Sequence, residues 1–379
     1  MSIVILTPHL HSGGVAKESR KCLNYLRDSN TVNVKIWCTD TIDGDIDGDY
    51  YFNFFSSRVH NVGWLRKLYL NLLSLPHFFS KLKENRTEYI IAMHFFPILL
   101  SHIYRLLSLR RVKVISVYHT DVAGYYHDAG LLKKIFIKTL ISLSGSGLSS
   151  VFISKDALAR AKKKFKLTNS VCIPNSVYFS SVIRKTILPP NKGSTVHLLA
   201  VGSLVSSKRI DSLLRVLKKL GEHDEFNFEL KIAGIGDEEK RLKEFAIQLN
   251  IQKRVTFLGY TNDLKKYYTD ADLLISTSER EGMPLNLLEA ISHGTPVVAM
   301  DCNTGPREIL EGNCGAVGYL CDSQIKEYNF ELDLDSSEIV MAKLIINHFT
   351  LGYSFDTSST VNEFSEEKSR LLWKEAVEK

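Results

Sequence analysis

The sequence predicts an α/β protein of two doubly wound, Rossmann-like domains facing across a cleft. Three observations carry that expectation. Short β-rich apolar runs alternate with amphipathic stretches from end to end, the pattern of βα units and parallel sheets. The alternation is broken by Leu188-Pro-Pro-Asn-Lys-Gly-Ser194, where consecutive prolines and a glycine interrupt any periodic element. At 379 residues, 44% hydrophobic and 24% charged, the chain is too long for one ordinary domain and comfortable for two sizeable cores.

In order, the first series reads as strands at 2–6, 32–38, 88–93, 112–118, 150–153 and 169–173. Helical stretches near 15–28, 64–83, 97–108, 129–144 and 155–165 separate most of them. These make a first domain, residues 1–187, followed by a linker at 188–194. A second series has strands near 195–201, 229–233, 254–258, 272–276 and 296–300, giving a second domain over 195–355. From Ser359 the chain reads as one amphipathic helix containing Trp373. No repeat of 20–50 residues is evident.

Composition narrows the function classes. No apolar run reaches the roughly 20 residues of a spanning helix, which excludes an integral membrane protein. Ile3 to Leu6 reads as a first strand rather than a signal peptide, since no basic segment precedes a longer apolar stretch. The six cysteines (Cys22, Cys38, Cys172, Cys302, Cys314, Cys321) include no C-x-x-C pair and read as reduced cytoplasmic thiols. Charge is unevenly placed. Residues 1–185 hold 26 basic against 12 acidic side chains, and residues 186–379 hold 22 against 30. Because acids crowd into Asp40–Asp49, residues 51–185 alone hold 21 bases and 5 acids. Such a half is built to meet a polyanion. Trp64–Leu73, Leu131–Lys138 and Ala161–Lys166 mix bases with apolar side chains, so an anionic membrane surface is the expected partner. No compact aromatic-basic motif accompanies the charge, which argues against nucleic acid.

The chemistry concentrates in Ser278-Glu-Arg-Glu-Gly-Met-Pro-Leu-Asn-Leu-Leu-Glu-Ala-Ile-Ser-His-Gly-Thr-Pro-Val-Val298. A strand ends at Ser276, a loop carries Glu281 and Gly282, and Pro284 stands at a helix start. Glu289 follows among Leu285, Leu287, Leu288, Ala290 and Ile291, where an unpaired carboxylate is costly. The residues alone allow either a helix-flank carboxylate satisfied locally or two acids receiving ligand hydroxyls.

Glu281 and Glu289, as E-x7-E inside E-G-x-P-L-x-x-L-E-A and G-x-P-V-V, resemble a retaining GT-B glycosyltransferase of family 4, the glycosyl transferases group 1 set. The likeness covers most of 196–312, and the first half more weakly. It implies a GT-B fold whose C-terminal segment, 356–379, crosses back to the first domain. It also implies that Glu281 meets donor-sugar hydroxyls and Glu289 the nucleotide ribose, with the backbone of Gly282, Met283, Pro284 and Leu285 beside the sugar and phosphates. Val201-Gly-Ser-Leu-Val-Ser-Ser-Lys-Arg-Ile-Asp211 is similar to the family's phosphate-gripping segment. Lys208 takes the lysine's place, while Ser203 stands where the family carries Arg. Arg209 either compensates or faces solvent, and solvent is favoured.

Gly234, in Ala233-Gly-Ile-Gly-Asp237, matches a glycine turn near the nucleotide, and Tyr260 matches a residue beside the base. Thr304 and Gly305 match a phosphate-receiving loop. In the first half, Gly13 and Gly14 match a double-glycine loop that lets backbone approach phosphate. His119, with Asp121 behind it, matches a segment facing the donor sugar. His9, His11, His94, His127 and His293 have no comparable support.

The loop Asp43–Asp49 starts like an EF-hand and contains D-x-D triplets. Its twelfth position is Phe54, where a bidentate Glu is required, so a solvated acidic loop is the better reading. No metal or other cofactor is expected. The implied function is retaining transfer of a hexose or N-acetylhexosamine from a nucleotide sugar, UDP favoured, to a glycan or lipid-linked acceptor in cell-surface polysaccharide synthesis. The implied place is peripheral, on the cytoplasmic face of an inner membrane. A GT-B epimerase or phosphorylase and a catalytically silent nucleotide- or glycan-binding protein are the alternatives. A Rossmann dehydrogenase is disfavoured because the first loop lacks G-x-G-x-x-G.

Overall fold

The computed structural model describes residues 1–8, 10, 13–27, 32–39, 75–108, 111–145, 150–261, 263–302, 304–311, 315–322 and 330–378. The acidic loop Asp43–Asp49 and the stretch Trp64–Leu73 lie outside the described residues. Contacts divide the chain into Met1–Asn175 with Glu367–Lys379, and Ser176–Glu366. The segment Leu188–Ser194 therefore falls inside the second unit.

The first unit holds a parallel sheet of β1 (Ser2–Thr7), β2 (Asn33–Cys38), β3 (Tyr89–Met93), β4 (Lys113–Tyr118), β5 (Ser150–Phe152) and β6 (Ser170–Cys172), in the order β2-β1-β3-β4-β5-β6. Ile3, Val4, Ile5 and Leu6 are all fully buried, as in a strand covered on both faces. Helices α1 (Gly13–Arg27), α2 (residues 75–84), α3 (Phe95–Leu107), α4 (Val122–His127), α5 (Leu131–Gly145) and α6 (Lys155–Phe165) connect the strands. The short α4 is additional to the sequence reading. It starts where the Asp121 carboxylate accepts the Ala123 N–H at 3.1 Å, a side-chain cap. Behind β4 a buried polar chain runs from His102 Nε2 to Ser116 Oγ (3.1 Å), with Ser144 Oγ donating to Ser116 Oγ (2.9 Å) and lying 2.9 Å from the Tyr118 hydroxyl.

The second unit repeats the plan with β8 (Thr195–Val201), β9 (Asn227–Ala233), β10 (Val255–Gly259), β11 (Leu273–Ser276), β12 (Val297–Met300) and β13 (Gly318–Cys321). Their order is β10-β9-β8-β11-β12-β13, all parallel. Numbered within the unit this is 3-2-1-4-5-6, so the strand order reverses between β8 and β11. Around the sheet lie α7 (Ile210–Leu220), α8 (Glu239–Gln248), α9 (Lys265–Asp270), α10 (Leu285–Ser292), α11 (Pro306–Leu310) and α12 (Ser336–Leu351). Helix α7 buries Ile210, Leu213, Leu214 and Leu217, a stripe at helical spacing.

Three features depart from the sequence reading. Strand β13 was not expected. Nor was an antiparallel pair, β7 (Arg184–Ile187) with β14 (Tyr353–Asp356). The C-terminal stretch is two helices, α13 (Ser358–Phe364) and α14 (Glu366–Glu378), because Ser365 is extended and bridges Val177. Of these, α14 clusters with the first unit. Its Ser369 hydroxyl donates to Pro174 O at 3.0 Å.

Candidate functional site

In an open parallel sheet, ligands gather at the carboxyl ends of strands where the order reverses. The second unit places the two central charged candidates at that point. After β8, the chain makes a 3-10 turn, Ser206–Lys208, before α7 starts. After β11, a loop leads through Glu281 to α10. Lys208 Nζ donates to Glu281 Oε1 at 2.5 Å. The carboxylate is the less accessible partner, with 11% of its side chain exposed against 26% for the lysine.

Several bonds lock the two loops together. The Thr277 hydroxyl donates to Arg209 O (2.8 Å) and lies 3.2 Å from Lys208 O, and Glu279 N–H donates to Ser207 O (2.9 Å). From the other side, the Thr304 hydroxyl donates to Glu281 O at 2.5 Å. Burial, and then the Glu281 carboxylate, pushes the Cys302 thiol up to about 12, so this cysteine stays protonated. Thr277 and Thr304 are buried, and neither joint was legible as a contact in the sequence.

Glu289, half-buried on α10, accepts the Tyr268 hydroxyl at 2.8 Å. Burial and that carboxylate hold the Tyr268 phenol far above its ordinary range, so it remains a donor. Its ring stacks on His293. Tyr268, on α9, was missed by sequence reasoning because it is remote in the chain from its partner.

The glycine positions have steric reasons. Gly234 has φ 147°, and a Cβ there would overlap the Gly202 carbonyl oxygen, so the ends of β8 and β9 touch backbone to backbone. At Gly305, with φ 76°, a Cβ would press on Pro284 and on Gly282 O. Gly282, Met283, Pro284 and Leu285 thus run against the Thr304–Gly305 turn; the last three are buried, and Pro284 caps α10 without a side-chain bond. The Asn286 amide ties the start of α10 to Val201 O at 2.8 Å. Ser203 and Tyr260 are exposed. Arg209 corrects the sequence reading: it does not face solvent but is buried, in the left-handed region at φ 51°, with Nε 3.3 Å from Asp211 Oδ1.

The first unit has its own reversal, between β1 and β3. Gly13, at φ 88°, and Gly14 open α1 after β1. His119 follows β4, half-buried, with Nε2 3.4 Å from Met93 Sδ. Burial, and secondarily His94, brings its pKa down to about 3, so the imidazole is neutral at physiological pH. His94, given no role by the sequence, follows β3 as the N-cap of α3 with φ 84°, a backbone strain unusual outside glycine. Asp121 is occupied elsewhere, capping α4 and pairing with Arg160 at 3.0 Å.

Residues 187–333 match the family described as Glycosyl transferases group 1, and this stretch is a domain of that family. An uncharacterized glycosyltransferase of Haemophilus influenzae is 36% identical over 178 residues, 46% of this chain and 47% of that protein. The match spans about half the length of that relative. Two solved structures share the architecture throughout. The lipopolysaccharide outer core galactosyltransferase WaaB, in its apo form, gives a TM-score of 0.74 at 19% identity over 100% of this chain and 99% of its own. Anabaena HepE in complex with UDP and glucose gives 0.69 at 16% identity, again over 100% and 99%. At these identities the likeness establishes the fold, which is GT-B.

Proposed function

We propose that the chain is a retaining glycosyltransferase that moves a hexose or N-acetylhexosamine from a UDP-sugar to a glycan or lipid-linked acceptor in bacterial surface-polysaccharide synthesis. The observation that carries this reading is the Lys208–Glu281 pair at the strand-order reversal of a glycosyl transferases group 1 domain. UDP is favoured because HepE binds UDP with glucose, and the acceptor class follows WaaB, a lipopolysaccharide outer core galactosyltransferase.

In this reading Lys208 and the N–H groups opening α10 receive the diphosphate, where a fixed positive charge stabilises the departing anion. Glu281 orients sugar hydroxyls and Glu289, steadied by Tyr268, the ribose. The bond from the anomeric carbon to the phosphate oxygen breaks while the acceptor oxygen bonds to the same face. The acceptor proton passes to the leaving phosphate oxygen, which needs no second carboxylate pair of glycosidase type. His119 is neutral and brings no charge of its own, and its assignment to the donor sugar rests on the resemblance of its segment.

The test is turnover of UDP-sugars with the product anomer read by NMR, with and without chelator. Retention at unchanged initial rate is expected. Inversion, or a rate restored only by Mn²⁺ or Mg²⁺, contradicts the mechanism. A second reading, a silent nucleotide-binding protein, is favoured by Ser203 standing where the family carries a cation. UDP-sugar binding with no UDP release across acceptors would select it.

A further inference from the structure

Helix α5 of the first unit is apolar on opposite sides. Ile137, Leu140, Ile141 and Ser144 form its buried face. Leu131, Leu132, Ile135 and Phe136 form a second stripe turned outward, with Leu131 and Leu132 exposed by 74% and 84%. An exposed apolar stripe beside the buried face suits contact with another apolar phase.

The surroundings specify the phase. Lys138 on α5 is exposed, and α6, which packs beside α4 as α5 does, presents exposed Lys162, Lys163, Lys164 and Lys166. Tyr125 and Tyr126 of α4 sit among these bases: Lys133 Nζ lies 3.8 Å from the Tyr125 ring centroid and Lys164 Nζ 5.2 Å from that of Tyr126. Three carboxylates stand on or beside these helices against the lysines. Asp121 caps α4 and pairs with Arg160, Asp128 lies 3.0 Å from His127 Nδ1, and half-buried Asp156 sits in the first turn of α6, away from the lysine-rich last turn.

We propose that the α4–α5–α6 face docks on an anionic lipid bilayer, the outward stripe of α5 entering the interface and the lysines meeting lipid phosphates. Amphipathic tyrosines suit the same headgroup depth, where each lysine adds attraction. A nucleic acid would meet the lysines but leave four aliphatic and aromatic tips without an apolar phase. The proposal does not depend on donor chemistry, since vesicle binding is read without turnover.

Flotation of the full chain with phosphatidylglycerol-containing and pure phosphatidylcholine vesicles tests it. The expected result is binding to the anionic vesicles alone, weakening with salt. Leu132→Ser/Phe136→Ser and Lys163→Glu/Lys164→Glu should each lose more than tenfold in affinity, roughly fivefold or more per lysine altered. All four positions are at a surface, and an unchanged melting temperature and circular dichroism spectrum check that the variants are folded. Failure of the wild type to bind anionic vesicles at low salt overturns the proposal, as do variants that bind like wild type. Self-association abolished by Leu132→Ser/Phe136→Ser, without vesicle binding, would assign the face to a second copy and also overturn it. So would single-stranded RNA binding lost in the lysine variant with vesicles left unbound.

Discussion

In the proposed reaction, Lys208 is the residue on which donor chemistry turns. Removing one preorganised cation from a leaving group costs about 100- to 1000-fold in rate, and with Ser203 uncharged Lys208→Ala should reach that range in kcat. Because Lys208 holds Glu281, the two substitutions should differ in kind. Glu281→Gln should strongly lower turnover yet keep or tighten UDP binding, since the carboxylate no longer competes with phosphate for the ammonium. Loss of UDP affinity in Glu281→Gln would contradict this pairing. Thr277 acts through both: Thr277→Val, which removes the hydroxyl that joins the two loops, should cut kcat about tenfold, and Thr277→Ser should restore it. Equal kcat in Thr277→Val and wild type would reduce the hydroxyl to a packing group. The E-x7-E acids and Lys208 were legible because they belong to local motifs. Thr277 and Tyr268 were not, because their roles exist only once β8, β11, α9 and α10 are brought together.

Among elements, the sequence reading found even strands of three or four residues, such as β5, β11 and β12, where the run is buried throughout. Strands β7, β13 and β14 are only partly buried and are defined by their partners rather than by a continuous apolar run. Also hidden was the clamp between α7 and α12. Arg215 is bound by Glu338 through Nε and Nη2 and by Asp211 at 2.9 Å, all three nearly or fully buried. Glu338 additionally closes the capping box with Asp335 at the start of α12. Glu338→Ala, which leaves the buried guanidinium with Asp211 as its remaining carboxylate, should destabilise the protein by about 3 kcal/mol. The paired change Arg215→Met/Glu338→Leu should cost less, and a larger loss in the double variant would mean the charges themselves stabilise the packing. Buried His102 is a further element-level device. Burial, with Arg105 nearby, lowers its pKa to about 4. From about pH 6.5 down to about 4 the unfolded chain binds a proton that the fold does not, so stability falls as pH falls through that window. His102→Gln should reduce the slope of the denaturant-midpoint profile there, leaving the part due to His119 and His348, whose pKa values burial also lowers, and an unchanged slope would place the titration elsewhere.

At the scale of the molecule, each unit buries its own parallel sheet, and the strand orders put the glycine-rich β1 end and the Lys208–Glu281 loops at their respective reversals. The two-domain α/β architecture was legible because doubly covered strands carry continuous apolar runs. The contact boundary at Asn175/Ser176 was not, since the proline-rich segment is a break in periodicity rather than in packing. Charge asymmetry was legible as arithmetic, but only the structure shows that α5 couples exposed lysine to an exposed apolar stripe. The central claim, that the second unit reads a nucleotide sugar through Lys208 and Glu281, is tested most directly by calorimetric titration of UDP and UDP-hexoses into wild type, Lys208→Ala and Glu281→Gln. Expected are saturable binding by the wild type, weaker binding of every ligand by Lys208→Ala, and loss in Glu281→Gln of only the extra affinity that the sugar provides. No binding of any UDP ligand to the wild type, or equal affinities across all three proteins, would contradict it.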